Sequence, residues 1–63
     1  MLSDREMQVL EMIIQGYNSE EIAAHFFIST STVETHRRSI LKKLSAKNIA
    51  HAVATAFRNK IIM

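Results

Sequence analysis

One four-residue signal occurs twice near the start of this 63-residue chain: Ser3-x-x-Glu6, and again Asn18-x-x-Glu21. In such a capping box the first side chain accepts from a backbone amide at the start of a helix, and the acid reaches back to the cap's own amide. Two boxes, with the chain's only glycine (Gly16) between them and no proline anywhere, leave little room for anything but consecutive short helices.

The apolar residues agree with that frame. Val9, Leu10, Ile13 and Ile14 recur at helical spacing after Ser3, and Leu2 can staple the entry. Gly16 stops this first helix. Ile22, Ala23 and Phe26 give the second helix a narrow apolar face, and Ala23 permits close approach to a neighbour. A three-residue turn, Phe27-Ile28-Ser29, follows, with Ser29 placed to cap a third helix. In that helix Val33, His36 or Arg37, Ile40, Leu41 and Leu44 mark the inner side, and Ser31, Glu34, Thr35, Arg38 and Lys42 form one polar stripe on the outer side. After the short connection Ser45-Ala-Lys-Asn48, a fourth helix turns Ile49, Ala52, Val53, Ala56 and Phe57 inward. Ala50 and Ala54, with His51 and Thr55 slightly off axis, make a second, small-residue surface. The expected fold is all-α, a compact four-helix domain with helices at about 4–15, 19–26, 30–44 and 49–60, and residues 1–63 form one domain.

Charge is divided along the chain. Residues 1–34 hold all six acids and one base, Arg5, for a balance of −5, whereas residues 35–63 hold seven bases and no acid, for +7. A polarised domain of this kind turns one face toward a polyanion, although a mixed solvated surface would read alike in composition. Cysteine is absent, which suits a reducing, intracellular setting. No apolar run approaches the ~18 residues of a membrane span.

Two helices joined by a three-residue turn, the second basic on its outer side, form a helix-turn-helix, whose second helix enters the major groove of DNA. The hydroxyls of Ser29, Thr30, Ser31 and Thr32 stand where the positive end of that helix meets phosphate; the plainer role of Ser29 is the cap alone. Arg38 can take guanine O6 and N7 or a phosphate, and Thr35 can touch a thymine methyl. Glu34 can accept from cytosine N4 or adenine N6, or serve only as the i,i+4 partner of Arg38. Arg37, Lys42 and Lys43 read as phosphate contacts or as a solvated basic face. His36 faces partly inward; His25 and His51 read as surface residues. The three histidines lack metal-ligand spacing, Glu20 and Glu21 are adjacent and diverge on their helix, and no nucleophile-base pair or glycine-rich phosphate loop is present. No cofactor, metal or catalytic activity is therefore expected.

The stretch from "LSDREMQVLEMIIQG" through "EEIAAHFFISTSTVETHRRSILKKL" resembles the DNA-binding domain of the LuxR/FixJ/NarL (GerE-like) group of bacterial transcription factors, on the Ile28-Ser-x-x-Thr-Val-x-x-His36 run and its distance from Lys43-Leu44 above all. The resemblance covers essentially the whole chain. It implies base reading from Glu34, Thr35 and Arg38, and phosphate contacts from Ser29 to Thr32, Arg37 and Lys42. It also implies a dimer contact through the fourth helix when two domains sit on DNA, at an inverted or direct repeat; the small-residue surface of Ala50, His51, Ala54 and Thr55 would supply that homodimer contact and, being mostly alanine, is expected to associate only weakly without DNA. Members usually carry an N-terminal receiver or ligand-binding domain, so the chain looks like an excised or stand-alone output domain of a response regulator, cytoplasmic and on the nucleoid. It departs from the group at Ser39, where Asn is frequent, at Ser45, where Gly often ends the third helix, at Ala46, where a larger apolar residue is usual, and at Ile49, where Arg is common. Region 4 of a sigma factor shares the motif, but the small-residue fourth helix suits self-association better. A protein-interaction module that docks an acidic partner on the basic half is the alternative of a different class.

Overall fold

The computed structural model describes residues 2–59. Four helices follow one another: α1 (Asp4–Ile14), α2 (Ser19–Phe26), α3 (Thr30–Lys43) and α4 (Ile49–Arg58), with no strand among the described residues. Each begins at a side-chain cap. Ser3 Oγ accepts from the Glu6 amide at 3.1 Å while the Ser3 amide donates to Glu6 Oε1 at 2.8 Å. Asn18 and Glu21 repeat the exchange at 2.8 and 2.9 Å. Ser29 Oγ takes the Thr32 amide at 3.0 Å, and Asn48 Oδ1 takes that of His51 at 2.8 Å. These bonds satisfy amides that a helix start leaves without an intrahelical partner, each cap contributing about 1 kcal/mol.

Three helices also end alike. The residue past each cap is left-handed, or the cap itself is, and the next amide reaches back five residues: Tyr17 to the Met12 carbonyl at 3.1 Å, Ile28 to Ala23 at 3.0 Å and Ala46 to Leu41 at 2.8 Å. The left-handed residues are Gly16 (φ 99°), Phe27 (φ 56°) and Ser45 (φ 52°). Only the first escapes the steric cost that a Cβ brings there. The terminus expected at Ser45 thus keeps its left-handed turn with a residue poorly suited to it.

Helix ends differ from expectation by a residue or two. Gln15 and Leu44 are caps rather than helical residues, because the turns just described close the ladder before them. The helix α4 ends at Arg58 with Asn59 as its cap; Lys60, the expected end, lies outside the described residues.

The core takes two buried apolar residues from every helix: Val9 and Leu10, Ile22 and Ala23, Val33 and Ile40, Ala52 and Ala56. Leu2, Ile13, Phe26, Ile28, Leu41, Leu44 and Val53 pack around them. Burial of a side chain such as Leu10, Ile22 or Ile40 is worth about 1.5–3 kcal/mol. The expectation fails at one apolar position, Phe57, which is 47% exposed. The buried arc of α4 centres on Ala52 and Ala56, whose small side chains draw the helix close, and Phe57 falls at the edge of that arc. The helix α3 packs against α1, α2 and α4 alike, so the segment with the outer polar stripe is also the centre of the fold.

Candidate nucleic-acid interface

The position of α3 is fixed from below by a buried acid. Glu6 is 5% exposed and stands on the same face of α1 as Val9 and Leu10. Its Oε1 accepts from the Ser3 amide and from Lys43 Nζ, both at 2.8 Å, and its Oε2 accepts from the Ser39 hydroxyl. Donation by Lys43, then by the Ser3 amide and the Ser39 hydroxyl, holds the Glu6 pKa down at about 2, against the opposing effect of burial. Lys43, which the sequence offers as a phosphate contact or as part of a solvated basic face, donates to Glu6 here. Ser39, which departs from the group pattern, supplies one of the three donors. In the sequence Glu6 stands out only through its capping box, although its i,i+3 and i,i+4 spacing to Val9 and Leu10 signals the inner face.

A second tether joins α1 to α2. The Arg5 guanidinium lies 4.3 Å from the centroid of the Phe26 ring, a cation-π contact that holds the start of α1 against the end of α2.

With α3 held in this way, its outer side presents the expected stripe. Ser31, Thr35, Arg38 and Lys42 are exposed, while Glu34 is half-buried. Thr35 donates its hydroxyl to the Ser31 carbonyl at 3.1 Å and accepts from Arg38 Nη2 at 3.4 Å. Neither Arg38 nor Lys42 has a carboxylate partner among the described residues, so both charges face solvent uncompensated. The first turn of α3 holds no acid. Thr30, Ser31 and Thr32 are exposed there, and Thr32 Oγ1 lies 2.9 Å from Ser29 Oγ. Amides, hydroxyls and helix dipole together make this end receptive to an anion.

Glu34 does not pair with Arg38, the i,i+4 partner considered from sequence. Its Oε1 lies 3.1 Å from Arg37 Nε and accepts from the Ser19 hydroxyl, at the first residue of α2, at 3.2 Å. The Thr35 hydroxyl engages Arg38 instead, leaving the acid to the flank that faces α2. Arg37, expected on phosphate, is half-buried and shares its charge with Glu34; His36 is half-buried, as its inward position implied.

On the far helix, Ala50 and Ala54 are exposed and His51 and Thr55 half-buried. His51 Nδ1 accepts from the Lys47 amide at 3.1 Å, closing a turn between the short connection and the start of α4. An open groove of about 530 Å³ lies between the end of α1 and α2, lined by Met12, Gln15, Tyr17, Glu21, Ala24 and His25. No cluster of metal-ligating side chains occurs among the described residues, and no helix there is long and apolar enough to cross a membrane.

A helix-turn-helix whose second helix pairs an acid-free, hydroxyl-rich start with unshielded cations further along is the architecture of a DNA-binding regulator domain. The chain belongs to the luxR family of bacterial regulatory proteins, whose GerE model matches residues 1–56. It is 42% identical over 62 residues to the response regulator protein VraR of Staphylococcus aureus, and equally to that of Staphylococcus epidermidis. The match takes in 98% of this chain and 30% of those relatives. The crystal structure of the response regulator ChrA of a heme-sensing two-component system superposes with a TM-score of 0.91 at 37% identity, over 98% of this chain and 31% of that one. The chain therefore spans about a third of the length of the proteins it resembles.

Proposed function

We propose that this domain is the output module of a two-component response regulator, which recognises a specific duplex sequence by placing α3 in the major groove. The observation that carries the reading is the open stripe of α3, Ser31, Thr35, Arg38 and Lys42, on a helix held rigidly by the core and by the Glu6 bridge. Arg38 reads a base edge, with Thr35 and the free edge of Glu34 beside it. Ser29 to Thr32, Lys42 and Arg37 meet the backbone and supply most of the affinity. Two copies bind an inverted or direct repeat through Ala50, His51, Ala54 and Thr55, with little association away from DNA. In the complete regulator a receiver domain precedes this one, and the protein acts in the bacterial cytoplasm on the nucleoid.

Selection of bound sites from random duplexes, followed by mobility shifts on the enriched sequence, tests the reading. Enrichment of a repeat that two protomers fill is the expected result. Failure to bind any duplex at low salt would overturn it.

A further inference from the structure

The two oxygens of the Glu34 carboxylate are used unequally. Oε1 takes the Ser19 hydroxyl and the Arg37 guanidinium together, whereas Oε2 accepts no hydrogen bond among the described residues. The side chain is 46% exposed, anchored at one edge and open at the other. A carboxylate that reads cytosine N4 or adenine N6 needs this arrangement: a fixed plane, and one oxygen with its lone pairs unspent.

We infer that Ser19 is a specificity-positioning residue, whose hydroxyl on α2 orients Glu34 on α3 so that Oε2 reads an amino group on a base edge. The inference rests on the proposed placement of α3 in the major groove, and it gives the half of the motif that does not enter the groove a part in choosing the sequence. Ser19 is suited to the task by position. It is the first helical residue of α2, just past the Asn18 capping box, so its backbone is held by the exchange between Asn18 and Glu21. It is also half-buried, which limits its rotamers and shields the bond from water. Without the hydroxyl, Glu34 keeps only Arg37, a long side chain on its own helix that moves with it, and the carboxylate plane is free to turn.

The alternative is that Ser19 and Glu34 merely brace α2 against α3. A brace and a positioning bond predict different readouts. Loss of a brace lowers the unfolding midpoint and weakens binding to every duplex by the same factor. Loss of a positioning bond flattens the preference at one base pair and leaves the other positions alone.

The test is a binding-site selection with the wild type, Ser19→Ala, Ser19→Thr and Glu34→Ala, with thermal unfolding of each. Glu34→Ala is expected to reduce the preference for an amino-bearing base at one position about tenfold. Ser19→Ala is expected to reduce it at the same position about threefold, with the salt dependence of binding unchanged, and Ser19→Thr to restore it. If Glu34→Ala leaves every position unchanged, base reading by Glu34 falls and the role of Ser19 with it. If Glu34→Ala flattens one position but Ser19→Ala does not, the reading of Glu34 stands and the inference about Ser19 is wrong. Uniform weakening by Ser19→Ala with a lowered midpoint assigns the pair to bracing and overturns the inference as well.

Discussion

The buried carboxylate of Glu6 makes a prediction about acid that can be worked through. In the unfolded chain this group titrates near 4.5, and in the folded domain at about 2. Because the folded pKa is the lower one, the unfolded chain takes up the proton first as pH falls. The stabilisation is therefore complete above about 4.5 and drains away as pH drops toward 2. A shift of this size corresponds to about 3 kcal/mol. Lys43, the largest contributor, is 40% exposed and its charge is screened, so a contribution of about 2 kcal/mol at neutral pH is the better figure. A domain of this length has only about 3–9 kcal/mol in total, so the bridge is a large share of it. Glu6→Gln keeps the shape and removes the charge. Urea unfolding followed by circular dichroism at a series of pH values should find the variant about 2 kcal/mol less stable at pH 7, with the deficit shrinking as pH falls below about 4.5 toward 2. A deficit that stayed constant over that range would show that Glu6 acts through packing, and the electrostatic account would be wrong.

Ser45→Gly should raise stability by about 0.5–1 kcal/mol, since relief of the left-handed strain exceeds the extra freedom that glycine gives the unfolded chain. The melting temperature should rise by about 3–6 °C, and an unchanged value would count against strain at φ 52°. Arg38→Ala should cost about 1–3 kcal/mol on the selected duplex and relax one base pair, whereas equal loss on all sequences would show that Arg38 meets only phosphate. Affinity should fall steeply and linearly in log–log form with salt, and Lys42→Ala should make that slope shallower by about one.

Much of this architecture was legible in the sequence because its signals are local. The cap pairs Ser3 with Glu6 and Asn18 with Glu21 lie within one helical turn, and the outer stripe of α3 follows from period alone. Distant partners were not legible. Glu6 meets Ser39 and Lys43, 33 and 37 residues away, and nothing in the spacing of those three discloses the meeting. Glu34 was weighed against its i,i+4 neighbour Arg38, but the packing of α2 put Ser19 within reach and Arg37 on the same side. Ser45 could be marked as strained, because glycine is usual there in the family. Phe27 could not: only the backbone shows that a phenylalanine, 95% exposed, sits in the left-handed turn of the motif.

The helix that packs against all three others is also the one proposed to enter the duplex, and this joins two properties that proteins often keep apart. Amides of Val33 to Ile40 should exchange with solvent only when the entire domain opens, because no partial opening releases α3 while leaving a core behind. The reading surface thus has no soft mode of its own. Control over DNA binding cannot work by melting the recognition helix and restoring it; it has to act from outside, by covering that helix or by setting the distance and angle between two intact copies. Conversely, the outward side chains of α3 can be exchanged for others with little effect on the core, so a new operator could be written onto one face while the opposite face continues to hold the fold.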